Sequence, residues 1–202
     1  MKRYSALTLI TALAVCVSQF AQAQGNKEAS KFAREGAEAS KNQDWNKAIE
    51  AFRKATDLDR KFAPNLAIAY QQRGFASANE QGFEDAIRDF SDALKINSRD
   101  ARIYEQRAAV EMKMYDYDKA VADYSEAITL KPNEVRYYLY RSYIYELKDD
   151  VKNSMADTEK ALKLDPKNAE AKGRKARLEA KQSAALPPVN SPQPAPAASK
   201  SP

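Results

Sequence analysis

The chain has no histidine and a single cysteine, Cys16. Without imidazole it lacks the commonest general base and the commonest transition-metal ligand. One thiol cannot build a Cys/His metal cluster, and no Ser–His–Asp triad can form. Glycine is equally scarce, at 5 of 202 residues, and no glycine-rich phosphate loop follows a strand. Of the 9 prolines, only Pro64, Pro132 and Pro166 precede residue 184. These absences predict no catalytic residues, no metal site and no cofactor. What remains is 30% charged, 44% apolar and poor in turn formers, the composition of helices rather than sheet.

The first residues read as an export signal. Lys2 and Arg3 form a positive start, and Ala6 to Val17 form an apolar run too short to span a bilayer comfortably. Ala21-Gln22-Ala23 then supplies the small-x-small pattern cut by signal peptidase, so residues 1–23 are expected to leave and Gln24 to begin the mature chain. Leu13-Ala14-Val15-Cys16 offers a rival reading as a lipidation box, but Val15 stands where that motif needs a small residue. Cleavage after Ala23 removes the only cysteine, which suits a periplasmic, bacterial-type exported protein.

A repeat dominates the rest. Ala86, Ala120 and Ser154 lie 34 residues apart, and the same text returns around each. Tyr70, Tyr104 and Tyr138 recur upstream in phase, then Gly74, Ala108 and Ser142. Ala93, Ala127 and Ala161 follow, and Ile96, Leu130 and Leu164 close each copy. An earlier copy reads Phe32, Gly36, Ala48, Phe52 and Ala55, at an offset of 38, so four extra residues lie near Ala63 to Leu66.

This text is similar to the tetratricopeptide repeat: an aromatic, a small residue four later, an Ala twelve beyond, an aromatic, an Ala and a Pro. Gly74, Ala86, Phe90 and Ala93 match in one copy, and Ala108, Ala120, Tyr124, Ala127 and Pro132 in the next. Ser142, Ser154 and Thr158 depart from the pattern, while Ala161 and Pro166 agree. The resemblance implies an all-α, right-handed superhelical solenoid of four helix-turn-helix repeats with a C-terminal capping helix. Its function is implied only as far as binding a peptide or protein.

Apolar spacing near 3.6 residues gives eight helices, at 27–42, 45–58, 64–80, 83–96, 100–114, 117–130, 134–148 and 151–164. The expected organisation is a short segment 24–28, repeats 29–62, 67–100, 101–134 and 135–168, and a solvated cap helix 169–183. Residues 184–202 are rich in Pro, Ala and Ser and cannot bury enough apolar area to order themselves.

Arg73, Arg107 and Arg141 occur in the copies that carry Asp89, Asp123 and Asp157; the first copy has Glu35 and Ala51 at those places. Arg and Asp appear and vanish together, which predicts a structural guanidinium–carboxylate bridge between facing helices. The resemblance implies a concave face built from the first helix of each pair. By helical phase it carries Ile68, Gln71, Phe75, Arg102, Gln106, Met112, Arg136, Leu139, Tyr140 and Tyr143, and continues to Leu147; the alternative is that some of these, Leu147 especially, pack under the cap helix. Exposed aromatics and Met flanked by Arg are the makings of an interface core. The Lys/Asn clamp with which chaperone-binding members hold a terminal carboxylate is absent, because only Arg136 among the matching positions suits it.

The net charge of +5 falls by two when Lys2 and Arg3 leave, and most of the excess sits on the cap helix at Lys172, Arg174, Lys175, Arg177 and Lys181. That helix has no apolar stripe to enter lipid. The expected protein is therefore a non-catalytic adaptor of the bacterial envelope, monomeric when free, with a protein or peptide partner and no nucleic acid. The alternatives are a permanent subunit of an envelope complex and a membrane-tethered, lipoprotein-like factor. Replacing Cys16 by Ala separates the last: the membrane-fraction signal should not change, and its loss would establish lipidation.

Overall fold

A computed structural model describes the backbone of residues 4–185 and the side chains of residues 22–184. The tail expected to lack fixed structure lies outside the described residues from 186 on, as do the side chains of the export segment before residue 22. Among the described residues there are nine α-helices and no strand. They are α1 (Tyr4–Lys41), α2 (Trp45–Leu58), α3 (Ala63–Asn79), α4 (Phe83–Ile96), α5 (Ala101–Lys113), α6 (Tyr117–Leu130), α7 (Val135–Leu147), α8 (Val151–Leu164) and α9 (Ala169–Ala185). A short 3-10 turn, Arg60–Phe62, joins α2 to α3. The chain divides into two compact units, Met1–Tyr137 and Tyr138–Pro202, with the boundary inside α7.

The helices fall within a residue or so of the sequence-based bounds, with one exception. α1 starts at Tyr4 rather than near residue 27. The Ala- and Leu-rich stretch from 4 to 26 holds no proline, and Gly25 is its one poor helix former, so nothing in the chain stops the helix between the two segments. The four extra residues take a definite form. α3 has 17 residues against 13 in α5, and the surplus, 63–66, is an added first turn that admits Pro64 where no backbone donor is required.

In the first unit α1 packs on α2, α3 on α4 and α5 on α6, and α2 on α3 and α4 on α5 join successive pairs. Small residues set how closely the helices of a pair approach. A Cβ added to Gly74 would lie 3.1 Å from the Ala86 carbonyl and 3.2 Å from the Phe90 ring. A Cβ on Gly36 would meet the Phe52 ring at 2.9 Å. Phe52, Tyr70, Phe90, Ile103 and Val110 then fill the space between pairs as one buried cluster running from α2 to α5. No pair could bury this face alone.

In the second unit the departures from the repeat pattern prove to be correlated. Ser142 on α7 and Ser154 and Thr158 on α8 are all fully buried. The Ser142 hydroxyl lies 2.9 Å from the Ser154 carbonyl and 2.7 Å from the Thr158 hydroxyl, while Ser154 donates to the Ser142 carbonyl at 2.9 Å. Hydroxyls replace the usual alanine and aromatic, and each finds a partner on the facing helix, so burial costs little.

The turn inside each pair follows one geometry. Gln43, Gln81, Tyr115 and Asp149 have φ between 58 and 65°. The residue after each donates back five positions, as Asp44 does to Ala39 and Asp116 to Glu111, both at 2.9 Å. This is a Schellman closure in which a non-glycine residue takes the left-handed position that glycine usually fills. Asp44 and Asp150 then cap the following helix, accepting from the amides of Lys47 and Asn153 at 3.2 and 3.1 Å.

The expected Arg–Asp bridges are present in all three copies. Nε and Nη2 of Arg73 donate to the two oxygens of Asp89 at 2.8 and 2.7 Å; Arg107 and Asp123 meet at 2.7 Å twice, and Arg141 and Asp157 at 2.8 Å twice. In the first unit the remaining nitrogen reaches the preceding pair. Nη1 of Arg73 donates to Asn46 on α2 at 2.7 Å, and that of Arg107 to the Ser91 hydroxyl on α4 at 2.9 Å. One guanidinium thus joins three helices.

Two predictions follow from burial and backbone geometry. The Arg107 side chain is 22% exposed and that of Arg73 33%. Asp123→Ala should therefore cost more than Asp89→Ala, about 2–3 against 1–2 kcal/mol in urea denaturation, because water re-solvates the orphaned Arg73 more easily. Gln43→Gly should raise stability by about 0.5–1 kcal/mol, since it relieves an exposed left-handed residue.

Candidate partner-binding face

The ten residues expected on the binding face divide between the two units. Seven belong to the first. On α3, Ile68 and Phe75 are 55% and 48% exposed, two turns apart on one side of the helix. Gln71 lies between them in sequence but is buried, and its amide nitrogen donates to the Gln106 side-chain carbonyl on α5 at 2.6 Å. These two glutamines, expected to await a ligand, instead tie neighbouring first helices together. A buried amide needs such a partner. Met112 is half-buried.

The two arginines of this face are also engaged. Nε and Nη2 of Arg102 donate to the Asp100 carboxylate at 3.0 and 2.8 Å. Nε of Arg136 lies 3.3 Å from Glu105 and 3.8 Å from Glu134. Burial pushes the Glu105 carboxyl above its ordinary range, and the Arg136 charge works in the opposite direction. The cations of the first unit's face are thus matched internally, and its most exposed large apolar side chains are Ile68 and Phe75.

In the second unit Tyr140 and Tyr143 on α7 are 42% and 40% exposed, and Leu147 continues the same stripe. Leu147 is 44% exposed, so the alternative of packing under the cap helix does not hold for it. Leu139 is buried, and its carbonyl accepts from Nη1 of Arg174 on α9. Arg174 is itself buried, not one of several solvated cap cations. Its Nη2 donates to Glu170 at 2.9 Å, its Nε lies 3.3 Å from Glu146, and its guanidinium sits 5.5 Å from the centre of the Tyr143 ring. Arg177 adds a second contact to Glu146 at 3.4 Å.

These contacts show what α9 is. The Leu139–Arg174 and Gln71–Gln106 bonds both span 35 residues, and the Glu146–Arg177 and Glu105–Arg136 pairs both span 31. Buried Ala171 and Leu178 fall 68 positions after buried Ile103 and Val110. α9 therefore packs on α7 in the manner of the first helix of a further repeat, and no second helix follows it among the described residues. The 34-residue phase sets Arg174 in register with Gln72, Gln106 and Tyr140, which are half-buried or exposed, so periodicity did not mark it as a core position. Its charge argued for the surface, and that argument lost because two carboxylates and a main-chain carbonyl receive it.

The family description "Tetratricopeptide repeat" matches residues 101–134 and 135–168. Among curated proteins none matches the chain. Solved structures do. The tetratricopeptide domain of Arabidopsis OM64 is 26% identical, with a TM-score of 0.54, covering 58% of this chain and 98% of its own. YrrB, described as having an unusual peptide-binding site, is 18% identical with a TM-score of 0.59, covering 79% of this chain and 81% of its own. The second such domain of human RPAP3, solved with an HSP70 peptide, is 23% identical with a TM-score of 0.53, covering 57% and 98%.

One charged residue escaped the sequence reading. Glu111 on α5 is 3% exposed, and its Oε2 has no hydrogen-bond partner. The 34-residue phase places Ser77 and Tyr145 at this position, so an acid here is not a requirement of the repeat. Burial, reinforced by the Asp123 charge and opposed by Arg107, pushes its carboxyl from an ordinary 4.5 to about 8. Because the folded value is raised, the unfolded chain loses this proton first. From about pH 4.5 to pH 8 the folded chain holds one proton more, and stability falls with rising pH by up to about 1.4 kcal/mol per unit. Glu111→Gln should remove that slope and stabilise the protein at pH 8. Urea denaturation from pH 5 to 9 checks this, and an unchanged slope would show that Glu111 is not its source.

Proposed function

We propose that the chain is a tetratricopeptide-repeat protein and serves as a non-catalytic scaffold that captures a protein or peptide on the exposed apolar side chains of its first helices. The observation that carries this reading is Ile68 and Phe75 on α3, and Tyr140 and Tyr143 on α7, standing 40–55% exposed. The charged groups in the same phase are paired, so each unit by itself offers apolar anchors with its neighbouring charges matched. Aromatic anchors of this kind dominate interface energies.

The client follows from the same chemistry. The structurally similar RPAP3 domain was solved with an HSP70 peptide, which supports a peptide client. Here Gln71 and Gln106 hold each other and Arg136 is held by Glu105, so a terminal carboxylate finds no clamp. The client is an apolar or aromatic segment. Catalysis has no support in a chain without histidine. The basic start, short apolar run and Ala21-Gln22-Ala23 site support a bacterial envelope address in this reading.

A photocrosslinking residue at Phe75, and separately at Tyr140, should capture the same client from an envelope fraction. Phe75→Ala and Tyr140→Ala should each weaken its binding by about 2 kcal/mol, roughly 30-fold, with helical content unchanged. Full binding by the double variant would move the client off this face. Self-association of the purified chain would favour a permanent assembly subunit.

A further inference from the structure

The first unit has a crevice between α4, α5 and α6 that shares no lining residue with the side chains just discussed. It is lined by Ile87 and Ser91 of α4, Arg107 and Glu111 of α5, and Lys119, Ala122 and Asp123 of α6, and has a volume of about 370 Å³. The hydrogen-bonding groups around it are satisfied with one exception. Asp123 gives both oxygens to Arg107, Ser91 accepts from Arg107 and donates to Ile87, and Lys119 pairs with Asp116. Glu111 is 97% buried, and no partner reaches its Oε2.

We propose that this crevice is a binding site for a primary ammonium on a short alkyl stem, the end of a lysine side chain or a small free amine, with Glu111 as its counter-ion. A charge census supports a cation. With Glu111 ionised, the facing groups Arg107, Asp123, Lys119 and Asp116 cancel, leaving one uncompensated negative charge. Ile87 and Ala122 supply apolar wall for the stem, and an ammonium gives the Glu111 carboxylate the donor it lacks. Burial alone does not account for an unpartnered acid, since an unpaired buried carboxyl costs free energy. The position is Ser77 and Tyr145 in the neighbouring repeats, so the fold did not require it. The site is separate from the face of Phe75 and Tyr140 and does not depend on the function proposed for that face.

Binding of a cation must displace the proton held by Glu111, so affinity rises with pH through the range in which this group titrates. The test is an NMR titration of the full chain with Nα-acetyl-lysine methylamide and with n-butylammonium, at pH 6.5 and 8.5 in phosphate, with Nα-acetyl-norleucine methylamide as the uncharged control. Both amines should shift the amides around Ile87, Glu111 and Ala122, about tenfold or more tightly at pH 8.5, given a group titrating near 8. Glu111→Gln should abolish the response while keeping the helical spectrum. Tighter binding of the lysine derivative than of n-butylammonium identifies a protein side chain as the source, and the reverse order identifies a free amine. Absence of binding, equal binding of the norleucine control, binding that weakens as pH rises, or binding retained by Glu111→Gln would each overturn the proposal.

Discussion

The guanidinium that joins three helices is the interaction on which the first unit's stacking depends. Small residues let the two helices of a pair approach, but apolar contact alone does not fix how one pair sits on the next. Arg73 and Arg107 do so by direction. Two nitrogens grip the carboxylate of the pair's own second helix, and the third reaches Asn46 or Ser91 on the preceding one. A planar fork with fixed bond directions tolerates little sliding, which a Leu or Met in the same place would permit.

The same economy of charge shapes the surface. Most cations along the first helices have a nearby carboxylate, Arg102 with Asp100, Arg136 with Glu105 and Arg174 with Glu170. Such pairing removes long-range ionic attraction as the basis of recognition and leaves shape and apolar contact. α9 offers buried Ala171, Arg174 and Leu178 to α7 and α8, and presents charged and small residues on its other side.

Glu111 stands outside this economy. Its neighbours have already chosen each other, so a carboxyl carried into the interior by the helical phase of α5 is left with one oxygen, Oε2, that no donor reaches. The fold keeps it neutral by raising its affinity for a proton, and thereby stores a dependence of stability on pH.

The repeat text by itself determined the helices, the position of the four-residue insertion and the three Arg–Asp bridges, because each is a local or strictly periodic consequence of residue type. Proline and the polar turns set the ends, small residues set the close approaches, and the joint loss of Arg and Asp from the first copy revealed their pairing. Which face residues meet solvent was decided only by tertiary structure. Gln71 and Phe75 lie four residues apart on one helix, yet one is bonded to α5 and the other is half exposed. Arg174 is buried and Leu147 is not, against the ordinary preference of each side chain. Helical phase gives a direction around one axis; whether a neighbouring helix stands in that direction, and whether it brings a carboxylate or nothing, depends on residues about 31 to 35 positions away.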